Sequence, residues 1–432
     1  MPRLPRSSAP VLAAPPVKPW REHTAVPPWF EWIADAGLNV SSGSVRALAA
    51  ILTGRATSRS ALVSLLQARS TTVSAWVSAM VRLRLVAELP STPGARGRPL
   101  QHLVADPNRV TALVVMVHSQ SLHIVVVNLL GQVSWHDTTV VAPDCDNAAM
   151  LAALRGLQQR AMQHVPAGST LAGVSYALSG LVNVAQAQWV FAARWPRMKN
   201  LPLGLATAPT LALHVVRNTD AQLRAQCLRS GPDGLNGRTL LLHWGYGIGA
   251  SFRAEPDKGG IDDTTGFGEV GHWLLPDQTG RCRCGHIGCL ETVAALWSIG
   301  PDLLGERFDH AMDEIQSAEI LRGMALTDHP VFQEALREMV RAVGNLCRIF
   351  FPTDLVISGP FVENPGAWAA FAQALSDQGM LVDLPMPRLQ AQPGGQQFMQ
   401  EGTSMPLLLK GLANMLDQAL APADGAVKKV SR

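Results

Sequence analysis

Gly268-Glu269-Val270-Gly271-His272, followed after a short spacer by Cys282-Arg283-Cys284-Gly285-His286-Ile287-Gly288-Cys289-Leu290-Glu291, decides how this 432-residue chain is read. His272, Cys282, Cys284 and Cys289 have the spacing His-x9-Cys-x-Cys-x4-Cys. Three thiolates and one imidazole so placed can surround a tetrahedral zinc ion at about 2.0–2.3 Å, and four protein ligands leave no position for water, so the expected metal is structural. Gly285 and Gly288 permit the tight turns that a short ligand loop requires. Glu269 and Glu291 bracket the cage. A closed metal loop would hold both carboxylates where they can accept hydrogen bonds from the hydroxyls of a polar ligand. The rival reading, three cysteines that are merely small core residues, leaves the intervening glycines without a purpose.

The same stretch resembles the signature of the ROK family, named for repressors, open reading frames and sugar kinases. Its pattern is Gly-Glu-x-Gly-His followed by Cys-x-Cys-Gly-x-x-Gly-Cys-x-Glu, and every fixed position is present between Gly268 and Glu291. The resemblance implies an α/β chain with a two-lobed actin-like, or ribonuclease-H-like, ATPase fold, and it extends from about Ser41 to Met415.

Composition sets the frame. A chain of 432 residues with 47% hydrophobic and 16% charged residues suits two or three globular domains. Three of the six cysteines belong to the metal loop, and Cys145, Cys227 and Cys347 are scattered, which points to reduced thiols in a cytoplasmic protein rather than a disulfide framework. No apolar run approaches the roughly 20 residues that span a bilayer. Residues 1–40 hold eight prolines and read as a poorly ordered arm without a signal-peptide core. The net charge of +3 hides an asymmetry: nine arginines and no lysine stand between Ser41 and Arg109, against only Glu88 and Asp106. A basic module therefore precedes a mildly acidic body, the footprint of a nucleic-acid-binding head on a sensor or enzyme.

Within that head, assigned to residues 41–105, helical spacing predicts Val45–Leu52, Ser58–Gln67 after an N-cap at Thr57, and Thr71–Leu83 after Ser70. Val73, Val77, Met80 and Val81 would line the buried face of the third helix, leaving Thr71, Thr72, Ser74, Ala75 and Ser78 outward, able to approach phosphates and base edges. Trp76 is expected in the core. Strands at 85–89 and 100–104 flank the turn Pro93–Pro99. Helices and ribbon together make a winged helix-turn-helix, resembling the head of ROK repressors, with Arg59 near the start of the second helix and Arg96 and Arg98 in the wing expected to meet DNA. The alternative is a helical protein-contact module with a solvated arginine face.

From Val110 the pattern changes to strands, at 111–117, 122–129 and 133–140, an antiparallel meander. A helix at 147–164, strands at 169–178 and 211–216, and a hairpin over 238–255 follow. The first lobe is placed at 106–219, completed by about 403–425, and the second, carrying the metal loop and a dimerisation surface, at 220–402. In ROK sugar kinases the base is the aspartate of an Asn-Asp-Ala-Asn segment; Thr219-Asp220-Ala221-Gln222 occupies that place, with Asn218 adjacent. A carboxylate there can accept a proton from a sugar hydroxyl, although an N-cap role for Thr219 or Asp220 is compatible with the same residues. Family kinases also carry two phosphate-binding turns. The second survives in sequence as Gly245-Tyr246-Gly247-Ile248-Gly249, whereas the first is replaced by Val117-His118-Ser119-Gln120-Ser121-Leu122-His123, lacking the acidic residue and both glycines.

The resemblance therefore implies a sugar-responsive transcriptional regulator of the xylose-repressor and N-acetylglucosamine-repressor branch, without kinase turnover. Asn218, Thr219, Asp220, Glu269, His272 and Glu291 are the expected ligand residues, with structural zinc as the cofactor. Operator DNA and a second copy, or three further copies, of the chain are its expected partners. Two alternatives stay open: a sugar kinase with a DNA-binding head, and a regulator controlled by a protein partner.

Overall fold

Alanine-, valine- and leucine-rich segments at helical spacing begin the described chain. The structure, a computed structural model, describes residues 42–421 apart from 91–100, 119, 231–234, 236, 255–263, 266–267, 382–383 and 393–398. Helices α1 (Gly43–Leu52), α2 (Arg59–Leu66) and α3 (Ser70–Arg82) form a three-helix unit. Ser58, not Thr57, caps α2, because its hydroxyl accepts the Ala61 amide. Val73, Val77 and Met80 are fully buried, Val81 partly so, and Trp76 lies half-buried across Gly43. Strands β1 (Val86–Pro90) and β2 (Gln101–Ala105) pair antiparallel beside the helices. The connecting turn, with Arg96 and Arg98, lies outside the described residues, as does the proline-rich arm.

The body repeats one sheet plan twice. In the first lobe β3 (Val110–His118), β4 (Ser121–Asn128) and β5 (Val133–Val140) form the expected meander. Helix α4 (Asn147–Met162) starts on an Asp146 cap, and β6 (Thr170–Leu178) runs parallel to β3. A small sheet, β7 (Leu181–Asn183), β8 (Gln188–Phe191) and β9 (Lys199–Pro202), was not foreseen, and it precedes β10 (Leu213–Arg217) and helix α5 (Asn218–Ser230). The large sheet has the order β10-β6-β3-β4-β5. In the second lobe β11 (Thr239–Trp244), β12 (Ile248–Arg253), β13 (Thr264–Thr265), β14 (Asp354–Ser358) and β15 (Arg388–Gln392) give the order β13-β12-β11-β14-β15, the same plan with the same parallel and antiparallel pairs. Interior strands β3 and β14 are buried along their whole length, and their middles, 112–117 and 355–357, read as continuous apolar runs.

Helices α6 (Leu296–Leu304), α7 (Glu314–Arg322), α8 (Pro330–Phe350) and α9 (Pro365–Gln378) belong to the second lobe, where Trp244 packs on Phe361 at 4.7 Å and stacks on Phe332 at 5.8 Å between ring centroids. The last helix, α10 (Met399–Leu420), returns to the first lobe and lies on β3, β6 and α5. A Cβ on Gly402 would fall 1.9 Å from the Ala221 carbonyl oxygen, so only glycine lets α10 cross α5 so closely. The far end of α10 meets α1 and α3, and Leu48, Val77, Val114 and Leu408 share one core. Head, first lobe and α10 are thereby one packed body. Among the described residues, no helix is long and apolar enough to cross a membrane.

Candidate functional site: an interlobe cleft beside a Cys3His cluster

The loop after Gly268 draws its four metal-type ligands together. His272 ends a single 3-10 turn, Val270–His272, and isolated bridges Leu274–Cys289 and Arg281–Ile287 fold the thiol segment back on it. Positive φ angles at Gly285 (101°) and Gly288 (80°) make the turns. The ligand atoms of His272, Cys282, Cys284 and Cys289 lie within 4.8 Å of one another, with His272 Nδ1 3.6 Å from Cys282 Sγ and Cys284 Sγ 3.6 Å from Cys289 Sγ. Bonds of about 2.0–2.3 Å to a common ion would set ligands roughly 3.3–3.8 Å apart, so the donor set fits a tetrahedral metal. Burial pushes the Cys282 thiol up to about 11 and raises Cys289 further. Three thiols in one small space do not ionise together without a cation. The other imidazole nitrogen of His272 faces Glu269 at 3.9 Å.

Beside the cluster a cavity of about 550 Å³ opens between the lobes. Glu269, His272 and Glu291 form its polar wall, and Val117, Leu178, Leu181 and Phe191 its apolar one. Gly268, at φ 149°, runs against β12 where a Cβ would strike the Ala250 carbonyl, and this contact sets Glu269 at the rim. Burial raises the Glu269 pKa, against the opposing pull of His272. Glu291 is buried, and its two oxygens accept hydrogen bonds from the Ile248 amide (2.9 Å) and the Trp297 indole (3.0 Å). Asn218 and Thr219 also line the cavity, and the Asn218 Oδ1 is buried without a hydrogen-bond partner.

Asp220 is placed differently from the expectation. Its carboxylate is buried behind the lining, held by Arg217 through two bonds of 2.9 and 2.7 Å and by the Ser251 hydroxyl. Burial keeps its pKa above the ordinary carboxylate value despite Arg217. The reason is local: Arg217 ends β10 and Asp220 sits in the first turn of α5, so the strand-to-helix junction closes an i,i+3 ion pair. As placed, the carboxylate is spent on the protein and does not reach the cavity.

The glycine turn Gly245–Gly249 also departs from the expectation of an intact phosphate cradle. Its Tyr246 amide is bound by Glu314 Oε1 at 2.7 Å and its Ile248 amide by Glu291, while the Gly245 amide closes the turn on the Gly247 carbonyl. Carboxylates thus already hold two of the turn's amide donors. Glu314, His243, Arg194 and Arg217, all lining the cavity, escaped sequence reasoning. Only Arg217 left a signal, in its spacing from Asp220.

In the head, Thr71 and Ser74 are exposed on α3 and Thr72 is half-buried. Arg59 binds Glu88 at 2.8 Å and the Ser74 carbonyl at 3.1 Å, tying α2 to β1 and α3.

The family model described as "ROK family" matches residues 121–381, more than half of the chain. The xylose repressor of Caldicellulosiruptor bescii is 26% identical over 254 residues, which cover 55% of this chain and 62% of the relative. The chain thus spans about three-fifths of that relative's length. The DNA-binding transcriptional repressor Mlc of Escherichia coli is 22% identical over 302 residues, 66% of this chain and 72% of Mlc. A solved structure of a ROK family transcriptional regulator, a homologue of that Mlc protein, superposes with a TM-score of 0.61 at 22% identity, covering 89% of this chain and all of that one. A ROK family glucokinase from Streptomyces griseus, solved with glucose and AMPPNP, shares the fold at a TM-score of 0.50 and 16% identity over 68% of this chain and 98% of that one. With the Gly268–Glu291 signature, the doubled sheet plan and the family match in agreement, the chain belongs to the ROK family.

Proposed function

We propose that this chain is a sugar-responsive, DNA-binding transcriptional repressor of the cytoplasm that does not phosphorylate its ligand. The observation that carries this reading is the single core joining the basic three-helix head, through α10, to the lobe that forms one wall of the cleft. The order of three helices and a two-stranded ribbon supports a winged helix-turn-helix, with the exposed face of α3 meeting the major groove. The names of the xylose repressor and of Mlc support the same assignment. Paired heads on a homodimer or homotetramer would read two half-sites.

The cleft recommends its own ligand. Hydroxyls would meet Glu269, Glu291 and Asn218, and the apolar face of a sugar ring or its substituent would lie on Leu178, Leu181 and Phe191. His272, Cys282, Cys284 and Cys289 would hold a structural zinc ion, which fixes the loop that carries Glu269 and Glu291. Asp220 clamped by Arg217, and the Tyr246 and Ile248 amides held by glutamates, support the reading without turnover, since neither a free base nor an open phosphate cradle is on offer.

A thermal-shift screen of monosaccharides, amino sugars and their phosphates identifies the ligand, and DNA binding to the chain's own promoter region is then measured with and without it. Ser78→Asp places a negative charge on the exposed face of α3 and is expected to weaken DNA binding by about tenfold or more without changing the melting temperature. Unaltered binding by that variant removes α3 from the interface. Sugar-phosphate formation from ATP at about 1–100 per second would overturn the non-kinase reading.

A further inference from the structure

Glu314 is one of the least expected residues in the cleft. It begins α7, 68 residues after the glycine turn, and its carboxylate rests directly on that turn. A Cβ on Gly245 would lie 2.3 Å from Glu314 Oε1, so glycine is required for the two to meet. The carboxylate accepts the Tyr246 amide at 2.7 Å and lies 3.0 Å from His243 Nε2. On its other side, His243 Nδ1 is 3.0 Å from Ser358 Oγ, whose own proton is given to Gln222 Oε1 at 2.9 Å. With the Ser358 proton on Gln222, Ser358 can accept from Nδ1–H, and a proton on Nε2 as well would give Glu314 a charged donor. The Arg194 guanidinium stacks 3.6 Å from the Tyr246 ring centroid, and its charge acts on Glu314 as well.

A backbone amide at a glycine turn and an imidazole meet on one carboxylate, with a guanidinium near enough for its charge to act there, and such a group of donors suits an oxyanion. We propose that the Gly245–Gly247 turn, His243 and Arg194 form a site for a phosphoryl or pyrophosphoryl group, and that the Glu314 carboxylate is its built-in occupant. The electrostatics agree. Burial works against both charged forms, yet His243 is held above its ordinary pKa by Glu314, and Glu314 below its own by His243 and the Tyr246 amide. The cleft thereby keeps, without nucleotide, the charge balance that a bound phosphate would otherwise supply. This rests on the reading of the cleft as a ligand site without turnover, and it names what replaced the nucleotide there.

The test uses the full chain and inorganic pyrophosphate, with neither sugar nor DNA present, so its failure leaves the repressor reading intact and the converse also holds. Wild-type protein should give no saturable pyrophosphate binding by calorimetry. Glu314→Ala should bind it at least about tenfold more tightly, with a steep loss in salt, and adding Arg194→Met should remove most of the gain. A folded Glu314→Ala protein that binds no better than wild type overturns the proposal. Should that variant not fold, Glu314→Gln keeps the shape and removes the charge. The His243 imidazole, followed by NMR, should then titrate lower than in wild type, and pyrophosphate affinity should rise. An unchanged His243 titration overturns the proposal equally.

Discussion

Two hairpins border the cleft, β3–β4 from the first lobe and β11–β12 from the second, and they occupy the same place in two copies of one sheet plan. On the proposed reading without kinase turnover, each lacks an open phosphate cradle for a different reason. At the first hairpin His118 and His123 stand near the tip, ring centroids 4.9 Å apart, and burial, aided by the neighbouring histidines, pushes the His123 pKa down to about 3. A neutral imidazole offers an anion no charge. The second hairpin has its glycine turn, with the Tyr246 and Ile248 amides held by Glu314 and Glu291. Erosion is written in the hairpin's own residues, whereas occupancy is written elsewhere in the chain.

The largest expected effect tests how far the second lobe depends on the metal loop. Structural zinc contributes roughly 10–16 kcal/mol to the folding of isolated zinc-finger peptides. In a lobe that also has a core around Trp244, Phe332 and Phe361, Cys284→Ser should still cost several kcal/mol. Hydrogen exchange should quicken in β12 and α6 while β3, β4 and β6 stay protected. Equal loosening of both lobes would mean that the metal loop supports the whole body. Absence of stoichiometric zinc in protein purified without chelator would remove the site.

A smaller loss is expected where the lobes meet. Asp220, behind the cleft lining, and Glu314, within it, are both carboxylates held by internal cations, but Asp220 shares a side-chain ion pair that is 8% and 4% exposed. Arg217→Met should destabilise the protein by about 3–5 kcal/mol in urea, because it strands a buried carboxylate. Adding Asp220→Asn should recover part of that loss, since the amide can still meet Ser251 without a charge. No recovery in the double variant would show that Arg217 acts through packing and not through Asp220.

Legibility in the sequence followed the distance between partners. The Cys3His cluster lies within a short loop, so its spacing alone located it. The β3–β4–β5 meander announced itself by apolar runs broken at Gly131-Gln132, and the two lobes followed from the family resemblance, whereas the repetition of one sheet plan emerged only in the fold. The small sheet β7–β9 did not, because its strands are three or four residues long and carry no periodicity to find. Ser58 took the cap from Thr57 by one position, within the ordinary uncertainty of helix ends. The clamp on Asp220 was within reach, as Arg217 stands three residues away, but its geometry depends on a strand turning into a helix between them. Glu314 gave no signal, since nothing at the start of α7 refers to a turn 68 residues earlier.

The smallest effect is the sharpest separation of the two hairpins, because pH should move them in opposite directions. His243 is raised above 6.5 in the fold, so the stability from its pairing is fully present below pH 6.5 and is lost as pH rises through its folded pKa. Glu314 is lowered below 4.5, so its share is present above about pH 4.5 and is lost only as pH falls through its folded pKa. The pair therefore contributes most between about pH 5 and 6.5. His123 behaves oppositely: its folded pKa of about 3 lies below the unfolded 6.5, so protonation of the unfolded chain costs stability as pH falls beneath 6.5. A single group changes stability by at most about 1.4 kcal/mol per pH unit, which makes differences between variants the proper measure. The stability of wild type minus Glu314→Gln should peak near pH 6 and shrink by pH 9. The stability of wild type minus His123→Gln should climb from pH 5 to pH 7 and then flatten. Two parallel curves would mean that the hairpins carry the same charge state, and that one of them has been misassigned.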